Sequence, residues 1–265
     1  MDKVKVIIGK EWAEVFKNRM VFFIVAFLPL FLTALPLLML VFFNSAGEEL
    51  SEFNTGSDEM LQTFGDLCLG LSEMECLQLY TLSLFLFMFM ILPVAIPVTI
   101  AAYSIVGEKS THSLEPLLAT PITTTELLLG KALAAMIPAV LATWISYFIF
   151  MLGTRFLVSD DVINRLLDPM WLLAVFVVGP LLALLAVCFG LMISSRATDP
   201  RVAEQLSVLI VLPLIMLVIG QSMGLILINR QMVLFIAIFV AILDVILVIL
   251  TVRLFQRETI LTSWK

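Results

Sequence analysis

Residues Val21–Phe43 read VFFIVAFLPLFLTALPLLMLVFF, 23 positions without one Asp, Glu, Lys or Arg. A helix that crosses the hydrocarbon core of a bilayer needs about 20 consecutive apolar residues. Helices on the surface of a soluble domain keep a polar face, and this stretch has none. Five more runs of the same kind follow: Thr81–Ile105, Ala132–Gly153, Met170–Ile193, Leu206–Ile228 and Met232–Val252. Every Lys and Arg falls outside the six runs, and Asp244 is the one acid inside them. The expected fold is all-α, a polytopic membrane protein with six transmembrane helices.

The bulk composition agrees. Of 265 residues, 62% are hydrophobic and 14% charged, against about 45–50% and 25% in soluble domains. That excludes a soluble enzyme and a disordered chain. Fifteen basic against 21 acidic residues leave a net charge of −6, so there is no basic footprint for a nucleic acid. Three cysteines cannot build a disulfide scaffold, and one histidine leaves little for zinc or Ser-His chemistry. The first run exceeds the ~7–15 apolar residues of a signal peptide core, and no A-x-A site follows it. It is expected to be retained.

Orientation follows from the basic residues, which favour the cytoplasmic side. With both termini inside, twelve of them, from Lys3 to Lys265, lie on that side, while Arg155, Arg165 and Arg230 lie outside. The loop 44–78 has eight acids and no Lys or Arg, as expected of an outer loop. The expected location is the plasma membrane, multi-pass, with both termini cytoplasmic.

Two domains are expected. Residues 1–20 form a cytoplasmic amphipathic helix: Val4, Ile8, Trp12 and Val15 share one face, flanked by Phe16, and Lys3, Lys10, Glu14 and Lys17 cover much of the rest. Such a helix lies in the interface plane, either as a charged anchor or as an elbow that braces the bundle. Residues 21–265 carry the six helices. In the outer loop, Cys68 and Cys76 would stand about 12 Å apart on one straight helix, too far for a bridge. A disulfide there requires a turn, for which Gly70 is available. Asp160–Leu167 is a short amphipathic stretch. Asp168-Pro169 and Asp199-Pro200 each join an N-cap to a first-turn proline before a span. Only Asn229, Arg230 and Gln231 join the last two spans, so these should form a tight antiparallel pair, or one should turn back before crossing.

The loop 107–131 reads GEKSTHSLEPLLATPITTTELLLGK. Ser113 can cap a short helix with Pro116 in its first turn, and Thr120-Pro121 ends it. Thr123 and Glu126 form a capping box that opens the third span. Leu114, Leu117 and Leu118 give the short helix an apolar stripe that the loop cannot bury alone. It either packs on its own bundle or lipid, or docks a cytoplasmic partner.

The run G-E-K, then S-L-E-P-L-L-A-T-P-I-T, then E-L-L-L-G-K resembles the permease subunits of ATP-binding-cassette exporters of the ABC type-2 family. The layout is also similar: an amphipathic N-terminal helix, six spans and a larger first outer loop. The resemblance implies that the loop carries a coupling helix, with Gly107, Glu108, Leu114, Glu115, Leu117, Leu118 and Pro121 as the ATPase-coupling residues. It implies an ATP-driven exporter working by alternating access, a cytoplasmic ATPase subunit as partner, and a second permease copy, identical or paralogous. No G-x-x-x-x-G-K-[ST] phosphate loop is present, so ATP and magnesium are expected on the partner and no cofactor or metal in this chain. The chain is expected to be a transporter subunit, not an enzyme.

Asp244 sits midway along the sixth span, where a charge costs about 2.5–3.5 kcal/mol on insertion scales. It should face the bundle, either as a cation or proton site or paired with a polar neighbour such as Gln221, Ser222, Thr143 or Tyr147. Asp244, Gln221 and Tyr147 are the candidate substrate path. Pro29, Pro36, Pro93 and Pro97 should bend their helices, as static kinks or as hinges. The alternative function is a secondary transporter or channel without an ATPase. That would call for more buried polar groups than Asp244.

Overall fold

The computed structural model describes residues 2–17, 19–52, 68, 70–110, 122–223, 225 and 229–255. These are helical throughout apart from short turns, with no strand among them. Six helices are long and apolar enough to cross a membrane: Val21–Ser45, Glu73–Glu108, Thr124–Arg155, Pro169–Arg196, Arg201–Ser222 and Arg230–Leu254. The chain is an all-α polytopic membrane protein, as expected.

The helix starts were written locally in the sequence. The Thr123 hydroxyl accepts from the Glu126 N–H, and the Glu126 carboxylate accepts from the Thr123 N–H. Asp168 and Asp199 accept from the N–H of Met170 and Arg201. A second capping box, Ser72 with Glu75, starts the second span eight residues earlier than its apolar run suggests. That start settles the cysteines. Gly70 turns the chain with φ 81°, Leu71 N–H donates to the Cys68 carbonyl, and the helix begins only at Glu73. Cys68 therefore lies off the helix axis, its Cα 5.2 Å from that of Cys76, and the two are disulfide-bonded.

Prolines change the helical pitch rather than ending the spans. The segment before Pro93 tightens into a 3-10 turn, Phe89–Ile91, and that before Pro213 into another, Val208–Val211. The segment before Pro180 widens into a π turn, Ala174–Val178. In each case the missing proline N–H frees an upstream carbonyl, and the backbone shifts its bonding around it. Pro29 and Pro36 sit within one unbroken helix, Arg19–Glu52.

Spans two and four form the centre. Their most apolar windows are 72% and 56% buried, against 22% for spans five and six. Gly190 lets the two central helices touch: a Cβ there would lie 3.0 Å from Ala101 Cβ and 3.3 Å from the Val98 carbonyl oxygen. Spans one and three pack on one side. Of the two arrangements expected for the last two spans, the tight antiparallel pair is not found among the described residues. The fifth lies against the second, and the sixth against the fourth. Span five ends at Ser222 and span six starts at Arg230.

The N-terminal helix, Asp2–Lys17, lies along the start of span three. Its most buried residues are Ile7 and Glu11, so its inner face is centred one position away from Ile8 and Trp12. Gly130 admits Ile7: a Cβ at Gly130 would come within 2.7 Å of Ile7 Cγ2. Trp12 Nε1 donates to the Ala134 carbonyl at 3.0 Å. At the opposite end of the bundle, Gln78 donates to Asn44, and Asn44 to the Leu157 carbonyl, which ties spans one, two and three.

Candidate functional site

The loop 107–131 leaves span two at Glu108 and returns in span three past Lys131. These two residues meet. Lys131 Nζ lies 3.0 Å from Glu108 Oε2 and 2.6 Å from Glu11 Oε1 of the N-terminal helix. All three side chains are at most 5% exposed. Lys131 also donates to the Ser104 hydroxyl and carbonyl at 2.9 and 3.2 Å, and Ser104 donates to Glu11 Oε2 at 2.9 Å. Lys10 donates to Glu108 Oε1 at 2.6 Å. Two lysines thus balance two glutamates. Burial works against the Lys10 charge. The hydrogen bond to Glu108 and the carboxylates of Glu108, Glu14 and Glu11 outweigh it and hold the ammonium pKa above its ordinary value.

One turn deeper, Ser194 of span four donates to the Ala102 carbonyl at 2.6 Å and accepts from the N–H of Val106 at 3.0 Å. The second span is therefore gripped from both sides just before the loop begins. The arrangement has no nucleophile–base pair and, among the described residues, no cluster of metal ligands. What it can do is hold the two feet of the loop at a fixed separation and tie both to the N-terminal helix.

Glu108, one of the expected coupling residues, is enclosed in this cluster. Gly107 lies against the Tyr103 ring, 2.9 Å from where its Cβ would be. Leu114, Glu115, Leu117, Leu118 and Pro121, with the rest of the expected coupling helix, lie outside the described residues. The sequence reading missed Glu11, Lys10, Lys131 and Ser104 as a unit. A signal existed: Glu11 interrupts the Ile7–Val15 stripe, and Lys131 follows an apolar helical turn.

The three candidate substrate-path residues are each buried but are not gathered. Tyr147 lies among Phe148 and Phe176. Gln221 is at the end of span five, on the far side of the central pair from span six. Asp244 is buried on span six, which packs against span four. Among the described residues, neither of its carboxylate oxygens has a hydrogen-bond partner. The pairings expected with Gln221, Ser222, Thr143 or Tyr147 are not made.

The sequence model of the ABC-2 family transporter proteins matches residues 5–264. The chain belongs to this family. No curated protein matches it. The ABC-2 match takes in the N-terminal helix from Lys5, all six spans and the loop between spans two and three, so the charge cluster is built wholly from family-matched sequence. As an ABC-2 family member the chain is the membrane component of a transporter.

Proposed function

We propose that the chain is the permease of an ATP-driven exporter. A separate ATPase docks on the cytoplasmic loop 107–131, ATP and magnesium bind on that subunit, and two permease copies enclose the path. Both termini are cytoplasmic, and the loop 44–78 is outside. The observation that carries this reading is the bond between Glu108 and Lys131 at the feet of the loop, shared with Glu11. A loop pushed by a partner transmits that push only if its feet cannot splay. Three elements joined by buried charge move as one. The Cys68–Cys76 bridge supports the outward placement of the acidic loop, because disulfides persist in oxidising compartments. Asp244 is the candidate substrate-path group in the transmembrane interior.

Docking should rest on the leucine stripe. Fully burying a leucine contributes about 1.5–3 kcal/mol, while an exposed ion pair gives about 0–1 kcal/mol. Leu117→Asp should abolish co-purification of the ATPase from detergent-solubilised membranes, whereas Glu115→Gln should leave most of it. Retention of the ATPase by Leu117→Asp would remove the docking helix from the account.

A further inference from the structure

A cleft of about 370 Å³ opens between the second half of the N-terminal helix, the start of span one and span two. Its deep wall includes Glu11 and Glu108, whose charges Lys131 and Lys10 already balance. A ligand finds no free charge there. The mouth is different. Glu14 and Lys17 line it from the N-terminal helix and are both exposed. Glu14 shares Lys10 only at 3.6 Å. Beyond Lys17 the wall turns apolar, with Val21 and Ile100, and the half-exposed Tyr103 ring flanks the opening. Gly107 allows that ring to lie flat on its own helix rather than across the cleft.

Three features select the occupant. Glu14 and Lys17 are three residues apart on one helix, so both lie on its same side. Their charges are opposite, so the mouth complements a zwitterion rather than a cation or an anion. The order Glu14, Lys17, Val21 runs from acid to base to apolar surface. That repeats the order ammonium, phosphate, acyl chain in an aminophospholipid. An amphipathic helix lying at the interface places this mouth at headgroup depth.

We propose that the cleft binds one phosphatidylethanolamine-type lipid. Its ammonium sits on Glu14, its phosphate on Lys17 and its upper chain on Val21 and Ile100. A primary ammonium can donate hydrogen bonds to a carboxylate, which a trimethylated one cannot, so the site prefers ethanolamine to choline headgroups.

The test uses the purified full chain, reconstituted in vesicles of equal parts phosphatidylethanolamine, phosphatidylcholine and phosphatidylglycerol. Native mass spectrometry after detergent release counts the retained lipid. The expected result is one phosphatidylethanolamine per chain, enriched about tenfold over the other two, the effect of about 1.4 kcal/mol. Glu14→Gln and Lys17→Gln should each remove most of the enrichment, while Lys5→Gln, on the same helix outside the cleft, leaves it. Both substituted side chains are exposed, so folding is preserved. Equal retention of the three lipids, or unchanged enrichment in both cleft variants, overturns the proposal. So does displacement by soluble glycerophosphoethanolamine, which would assign the cleft to a water-soluble ligand. Neither an ATPase nor transport enters this readout, so its failure is separable from that of the exporter reading.

Discussion

Lys131 holds two carboxylates that are almost wholly buried. Removing one partner of a buried ion pair typically costs about 3–5 kcal/mol, because the other charge stays buried. Lys131→Met leaves Glu11 without a counter-ion, while Glu108 keeps Lys10. The expected result is a lower thermal midpoint of the purified chain, partly restored in Glu11→Gln/Lys131→Met. An additive double variant would show that the two residues do not act together. Asp244 presents the opposite case. Its buried oxygens have no hydrogen-bond partner among the described residues, so Asp244→Leu should raise the thermal midpoint, the pattern of a group retained for function at the expense of stability. A fall in the midpoint would mean that the carboxyl is held by a contact that stabilises the fold. That Asp244 is buried was legible in the sequence, since a charge in an apolar run must avoid lipid. Its neighbours were not. The Glu11–Lys131 contact joins residues 120 apart, and nothing in local spacing encodes it.

At the scale of the helices, the capping boxes and Asp-Pro starts were legible because they act within one turn. Helix neighbours were not, because they depend on close contacts between distant residues. Gly190 makes one of these between the two central spans. Its Cβ would meet span two at Ala101 and at backbone atoms that cannot turn aside, whereas the nearest atoms to a Cβ at Gly153 belong to the far end of the Leu37 side chain. Gly190→Ala should therefore cost about 1–3 kcal/mol as overpacking, and Gly153→Ala should be nearly neutral. Thermal unfolding of both variants checks the order, and equal losses would remove Gly190 from its role at the helix contact. The Cys68–Cys76 bridge is checked by mass-tagging with maleimide in denaturant. One cysteine, Cys188, should react before reduction, and all three after it.

For the whole molecule, six apolar runs without Lys or Arg were enough to give the fold class, since in lipid every backbone group must be satisfied within its own helix. They could not give the packing order, because all six look alike to a hydropathy scale and only burial separates the central pair from the rest. The functional account rests on which side of the membrane the charge cluster and the loop face, and on what meets them there. Both points are reached by one measurement. Glu115→Cys, carrying a photoactivatable maleimide cross-linker, is illuminated in membranes that contain the intact assembly, and the adduct is identified by mass spectrometry. The account predicts a covalent product between this chain and an ATP-hydrolysing subunit, formed only when the reagent reaches the cytoplasmic face. Cross-links to lipid or to this chain alone, in an assembly that still transports, would contradict it.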